Sequence, residues 1–339
     1  RHKGEAPKPK APPAAAPLAL AAGEGVAVVL TGAVLAVRAA EPVVAVVPVE
    51  RAGDESLPCG AFLPSEHGTL EGSVRSCVQG QTGVELGFLE QLCTFGARSK
   101  PDMTDIPANT PHVVSVSYLA LVGPQQCNDR TRATWRGWYS FFPWEDWRNG
   151  RPDCIAELEQ RLEAWAAQPE PARTTGWAPD RRQRVRVAFG GAGMTWDEEK
   201  VAERYELLSE AGIVAASDDA TGIGQRLPRL AHPMLGDQSL VLARAIGELR
   251  RAIKRRPILF ELMHEEFTLF ELQKAVEAIL GPHLHKQNFR RLVEGCGLVE
   301  PTGELRLRTG GRPAQLYRFR RDVIYEHASP GVRLKPGRM

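Results

Sequence analysis

The sequence predicts an α/β (α+β) sandwich followed by a C-terminal winged helix-turn-helix. Three observations carry this prediction. β-Branched runs of strand length open the structured part of the chain, the last hundred residues read as helix, helix, turn, helix and hairpin, and a stretch of low apolar periodicity separates the two. With 339 residues, 43% hydrophobic and 25% charged, the chain has room for two soluble domains, each with its own core.

Residues 1–24 are crowded with Pro, Ala and Lys and bury too little apolar surface to order themselves, so they read as a disordered tail. The runs at 26–37 and 43–49, joined by a turn at 38–42, predict a hairpin of buried strands. Residues 57–64 read as a loop, and a helix from Thr69 to Gln81 closes at Gly83. Strands are expected at 86–95, 112–122 and 185–189, and a helix at 197–211 that opens at Thr195 or Asp197 and stops at Gly212. All seven tryptophans fall between Trp135 and Trp196, a cluster that is expected to pack onto this first domain, the alternative being a surface that stacks bases. The first domain is therefore placed at 25–215 and a linker at 216–236, with the winged helix at 237–325 and a tail at 326–339.

Asp237 opens a helix carrying Leu240, Leu242, Ile246, Leu249 and Ile253 and ending in Lys254-Arg255-Arg256, which either leads into the next module or pairs with its copy in a dimer. A short helix at 258–264 follows. Thr268 and Glu271 then form a capping box, with Phe267 and Leu272 as its hydrophobic staple, and Gly281-Pro282 ends that helix. The next helix, 285–296, places Phe289, Leu292, Val293 and Cys296 on a core face and leaves Lys286, Gln287, Asn288, Arg290 and Arg291 outward. In the hairpin, Leu305 and Leu307 are expected inward with Arg306 and Arg308 outward, and Tyr317 and Phe319 inward with Arg318 and Arg320 outward. The tip carries Arg312. From 251 to 321 there are fourteen Lys/Arg against eight Asp/Glu in a chain of net charge +2, so a basic module sits on a slightly acidic body. This order of elements predicts duplex DNA as partner. Lys286, Gln287, Asn288, Arg290 and Arg291 would face the major groove, with Arg308 and Arg312 on the wing. A winged helix used for protein contact is the alternative.

Six cysteines without a CxxC pair read as buried thiols of a reducing cytoplasm, with no metal site. No run reaches the roughly 20 apolar residues of a membrane span, and the basic opening residues lack the apolar core of a secretory signal.

Leu57-Pro58-Cys59-Gly60, Glu66 and Thr82-Gly83-Val84 resemble a Nudix box, Gly-x5-Glu-x7-Arg-Glu-U-x-Glu-Glu-x-Gly-U, two residues over length. Aligned on Gly83, the Arg-Glu positions hold Ser76 and Cys77, and the Glu-Glu pair is Gly80 and Gln81. Those glutamates hold Mg²⁺ in Nudix enzymes, and thiol, hydrogen and amide do not replace them. Together with Leu284-His-Lys-Gln-Asn-Phe-Arg-Arg291 and Gly311-Arg-Pro-Ala-Gln-Leu-Tyr-Arg-Phe-Arg320, the box resembles the Nudix-related transcriptional regulators of NAD metabolism, and more closely the NadQ-type repressors. Gln-Thr-Gly83, Val114–Leu121 and Pro143–Pro152 add to the likeness.

The resemblance implies a homodimeric repressor on a palindromic operator, with no required cofactor and an effector such as NAD, ATP or ADP-ribose. Phe62, Arg75, Gln79, Phe95 and Tyr118 are the candidate ligand residues, with Arg75 the phosphate partner. The rivals are a Nudix hydrolase using Glu66 and Glu71, and a nucleotide-binding adaptor whose winged helix touches protein.

Overall fold

The computed structural model describes residues 26–49, 55–96, 112–127, 131–169, 179–191, 193–214, 231–232, 234, 236–306 and 313–320. The tails, the wing tip with Leu307, Arg308 and Arg312, and most of the 216–236 linker lie outside them.

The two β-branched runs form β1 (Val26–Arg38) and β2 (Glu41–Pro48), paired antiparallel around a two-residue turn. Ala39 and Ala40 both hold positive φ, 50° and 62°. A turn of this hand matches the twist of the strands but normally takes Asn-Gly, and alanine there costs about 1–2 kcal/mol per residue. β1 also pairs with β4 (Cys59–Ala61), and β2 with β3 (Glu55–Ser56) and, further along the chain, β7 (Thr134–Gly137). The loop expected at 57–64 therefore contains a strand, because β1 is long enough to pair β4 along one half of its edge and β2 along the other. The single turn α1 (Pro64–His67) and then α2 (Leu70–Thr82) follow, the latter capped by Thr69 and ended by left-handed Gly83. β5 (Phe88–Gly96) and β6 (His112–Leu121) complete a mixed sheet ordered β3-β2-β1-β6-β5, in which β6 runs parallel to β1.

Both faces of this sheet are covered at its centre, which is why β1 and β2 read as unbroken apolar runs rather than alternating ones. Leu30, Val34 and Ala36 of β1 pack with Val74 and Val78 of α2. Ala33, Leu35 and Val37 point the other way, into a core that contains Trp138, Phe142 and Trp144. Trp138 and Trp144 are fully buried, as the aromatic cluster predicts, with Trp135 packed on the α2 side. α3 (Cys154–Ala166), α4 (Arg181–Phe189) and α5 (Val201–Glu210) lie on the Trp138 side. The strand expected at 185–189 is thus helical. Asp180 accepts from the Gln183 amide at 2.6 Å and Gln183 Oε1 from the Asp180 amide at 2.9 Å, a capping box that outweighs the two valines. α5 starts at Val201, four residues past Asp197, whose side chain instead accepts from the Glu199 amide.

α6 (Gln238–Arg255) is buried around most of its circumference. This fits a helix at the centre of a core better than one displayed for pairing. A 3₁₀ turn at Ile258–Leu262 replaces the short helix expected at 258–264. Then come α7 (Leu269–Leu280), α8 (Lys286–Gly295) and the hairpin of β8 (Val299–Arg306) with β9 (Ala314–Phe319). The apolar core runs without a break from β1 and β2 through α6 into α7, α8 and Tyr317, so the winged helix is packed on the sheet domain.

Candidate nucleic-acid interface and ligand cleft

The capping box at Thr268 forms as expected. The hydroxyl accepts from the Glu271 amide at 3.2 Å, Glu271 accepts from the Thr268 amide at 2.8 Å, and Phe267 and Leu272 are buried as the staple. The turn between α7 and α8 is held by two residues that sequence reasoning missed. Gln273 Nε2 donates to the Leu284 carbonyl and to Glu277 Oε1, each at 2.8 Å, and the Leu284 amide donates to Glu277 at 3.0 Å. Lys274 pairs with the same carboxylate at 2.8 Å. Burial raises the pKa of Glu277, but these partners outweigh it and hold the carboxyl below its ordinary value. The i, i+4 spacing of two polar residues on the core face of an amphipathic helix was the available signal.

On α8, Phe289 and Val293 anchor the buried face. Lys286, Gln287, Asn288, Arg290 and Arg291 are all exposed on the other side. Among the described residues no ion pair or side-chain hydrogen bond engages Lys286, Gln287, Asn288 or Arg291, whereas Arg290 donates to Glu294 at 2.9 Å. The hairpin departs from its expected alternation. Leu305 is 60% exposed, and Arg306 turns back to give Glu271 two bonds of 2.7 and 2.9 Å. The register shift between Pro301 and Leu305 reverses the faces, and a carboxylate at the capping box attracts the guanidinium. Tyr317 is buried, as expected of an inward position, while Arg318 pairs with Glu300 at 2.7 Å.

A buried ionic cluster joins the winged helix to the sheet domain. Glu145, Arg204 and Arg250 are each 0–1% exposed. Glu145 accepts from Arg204 at 2.6 and 2.9 Å and from Arg250 at 2.8 Å. Arg250 also donates to the carbonyls of Glu198 at 2.9 Å and Ile279 at 2.8 Å, and Tyr139 donates to that of Ala278 at 2.8 Å. Burial raises the Tyr139 phenol, which keeps it a donor. The C-terminal carbonyls of α7 are thereby bonded to the body of the protein.

Four of the five candidate ligand residues share one side of the sheet. Phe62 and Tyr118 pack in the core under α2, which carries Arg75 and Gln79, whereas Phe95 packs on the opposite face, 5.1 Å from the Arg244 guanidinium. Arg75 bonds Glu71 at 2.8 Å and the carbonyls of Leu86 and Gly87, so it latches the loop after α2. Gln79 reaches Glu85 at 3.4 Å. Gln81 accepts from the Cys59 amide at 3.1 Å and donates to its carbonyl at 2.8 Å, stitching the two halves of the box together. Cys77 abuts Gly60, where a Cβ would stand 2.9 Å from its sulfur, and burial pushes its thiol up to about 11. Glu66 is exposed beside His67, and Glu71 is committed to Arg75. Among the described residues no three His, Cys, Asp or Glu converge as a metal site would require. Cys77, Gly80 and Gln81 bring no carboxylate to the box positions, so the donors there do not fit Mg²⁺. Gln238, at the start of α6, accepts from the Leu57 amide at 2.7 Å and so ties this box to the central helix.

The class these features define is a Nudix-like mixed α/β domain joined to a winged helix. Comparison with known proteins identifies the winged helix. Residues 259–319 match the family model described as the NrtR DNA-binding winged helix domain. The ADPR responsive transcriptional repressor NtrR of Acinetobacter baylyi is 41% identical over 83 residues, 24% of this chain and 33% of that protein, so the match spans about a third of that relative. The crystal structure of Shewanella oneidensis NrtR complexed with a 27mer DNA is similar in fold, with TM-score 0.50 at 20% identity over 87% of this chain and 94% of that one. A MutT/nudix family protein from Enterococcus faecalis has a TM-score of 0.48 at 16% identity, over 88% of this chain and 89% of its own. No helix among the described residues is long and apolar enough to cross a membrane.

Proposed function

We propose that this chain is a cytoplasmic transcriptional repressor of NAD biosynthesis genes, controlled by an adenine-containing nucleotide in a Nudix-like domain that no longer hydrolyses. The observation that carries the reading is the outer face of α8, where Lys286, Gln287, Asn288 and Arg291 stand exposed and uncommitted opposite a locked core face. Cationic and amide side chains so displayed on the third helix of a winged helix are matched to phosphates and base edges. Arg290 joins them on leaving Glu294, and Arg308 and Arg312 follow the backbone from the wing. Two copies bind a palindromic operator.

ADP-ribose is the first effector to test, ahead of NAD and ATP, because the Acinetobacter baylyi relative is described as ADPR responsive. Its cleft is assigned to Phe62, Arg75, Gln79 and Tyr118 on the α2 side, with Arg75 released from the Leu86 and Gly87 carbonyls to meet a phosphate. Phe95, on the far face, is assigned no ligand contact. Hydrolysis is not expected, since Cys77, Gly80 and Gln81 offer no carboxylate, and efficient Mg²⁺-dependent turnover of ADP-ribose would contradict this.

The test is a titration onto duplex DNA from upstream of an NAD-synthesis operon, at two salt concentrations, with and without ADP-ribose, NAD and ATP. Selective, salt-dependent binding shifted by one nucleotide is the expected result. Arg290→Ala should cost about 1–3 kcal/mol of specific affinity. Affinity indifferent to sequence, salt and nucleotide would replace this reading with that of a protein-contacting adaptor.

A further inference from the structure

A cavity of about 390 Å³ lies where the tip of the β1–β2 hairpin meets the winged helix, and it shares no lining residue with the box at 57–83. One wall is the turn Ala39-Ala40, both residues in the left-handed conformation that alanine resists. Met263, Phe267 and Phe270 of the winged helix line it too, and Phe270 is 47% exposed although it opens a helix whose other apolar residues are mostly buried. Apolar and aromatic walls with a few polar groups, set at the junction of two packed units, are the composition of a small-molecule site.

The charged groups decide what such a molecule carries. His264, Glu271 and Lys274 line the cavity. Glu271 is already saturated by Arg306 at 2.7 and 2.9 Å and by the Thr268 amide at 2.8 Å and hydroxyl at 3.2 Å. Lys274 bonds Glu277, but Gln273 and the Leu284 amide bond that carboxylate too, so Glu277 keeps two hydrogen-bond partners when the ammonium turns toward an occupant. His264 is exposed, and among the described residues no hydrogen bond or ion pair engages it. The available charge is therefore cationic and sits beside rings, with Lys274 Nζ 5.7 Å from the centre of the Phe270 ring.

We propose that this cavity is a second ligand site that takes a small, flat aromatic carboxylate. Its ring lies between the hairpin methyls and Phe270, and its carboxylate meets Lys274, with His264 as a second donor. Binding does not depend on the repressor reading, although its consequence does. An occupant rests against Glu271, the residue that ties β8 to α7, and so reaches the wing of the DNA-binding unit.

The experiment titrates 2-naphthoate and its neutral counterpart 2-naphthamide into the full chain by calorimetry, without DNA, and follows the His264 ring by NMR. Naphthoate should bind on the order of tenfold tighter than naphthamide, as a charge-assisted contact requires, and should shift His264. Lys274→Met should erase the difference between the two probes, and Phe270→Ala should weaken both. Phe270 is exposed and Lys274 half-buried, and circular dichroism checks that the variants fold. Saturating ADP-ribose should leave naphthoate bound. Equal affinity for the two probes, or affinities untouched by both variants, would overturn the assignment. Displacement of naphthoate by ADP-ribose would do the same, as would probe binding that fades with rising protein concentration because a second copy covers the cavity. A failed DNA titration leaves all of these readouts intact, so the two proposals fall separately.

Discussion

Replacing Glu145 by Gln tests the ionic cluster that fastens the winged helix to the sheet domain. In the native protein one carboxylate faces two guanidinium groups, accepting three bonds of 2.6 to 2.9 Å with all three side chains essentially out of solvent. Gln keeps the shape and one acceptor, but it turns an amide donor toward guanidinium donors and leaves two buried cations without a counter-charge. Breaking a buried pair by removing one partner costs about 3–5 kcal/mol, and the carbonyls of Ala188, Asp197, Glu198 and Ile279 already bonded to the two arginines compensate only in part. That is a large share of the roughly 5–15 kcal/mol by which a protein is usually stable. Urea unfolding at neutral pH should therefore show a large fall in the midpoint for Glu145→Gln. The triple replacement Glu145→Leu, Arg204→Met, Arg250→Met should recover much of the loss, since it removes the charges together with their desolvation cost. A loss below about 1 kcal/mol for Glu145→Gln, the value of an exposed pair, would refute the reasoning.

Glu277 gives a pH dependence of definite sign. Its folded pKa lies below the ordinary carboxylate value, so its contribution is full above the unfolded pKa of about 4.3 and is lost as pH falls through the folded value. Acid unfolding curves of the native protein and Glu277→Gln should converge at low pH and separate above about pH 5. Gly83→Ala places a Cβ on a residue at φ +73°, with Arg132 no nearer than 3.8 Å, so the cost is backbone strain of about 1 kcal/mol, read as a lower melting temperature.

Much of the winged helix was legible because its signals are local. A capping box, a staple and a 3.6-residue apolar stripe each lie within a few residues, and Thr268, Glu271, Phe289 and Val293 stand where those patterns put them. The sheet was legible for a related reason. Strands covered on both faces are apolar throughout, and β1 and β2 read as such, while β6 was found from the alternation of its valines and serines. Long-range partners escaped. Nothing near Arg306 announces that a bulge will turn it toward Glu271, and nothing near Glu145 announces two arginines, 59 and 105 residues away in sequence. α4 was misread because Val185 and Val187 outweighed Asp180 and Gln183 on the page, whereas in the folded chain the reciprocal cap decides. For the ligand cleft, Arg75 was legible as a cation on α2 but not as a latch, since its carbonyl partners carry no sequence signature.

The magnitudes also limit how a nucleotide could act on DNA binding. Coupling between two sites is typically about 1–3 kcal/mol, less than the cost of opening the Glu145 cluster. Arg250 and Tyr139 bond the last carbonyls of α7, and Gln273 and Glu277 bond the turn from α7 into α8. Under the proposed function, a ligand with that much differential affinity should leave α6, α7 and α8 as one body and move the body as a whole. Under the proposed nucleotide control, Gln238 is the contact open to such a movement, since it joins the start of α6 to Leu57 in the box. Spin labels at exposed positions on α8 and at Arg244 of α6 should therefore keep a constant separation on adding ADP-ribose, while in the proposed dimer a label pair between the α8 helices of two copies should change. A changed α6–α8 distance within one chain would show that α8 moves apart from α6, and that the bond from Arg250 to the Ile279 carbonyl does not hold them as one body.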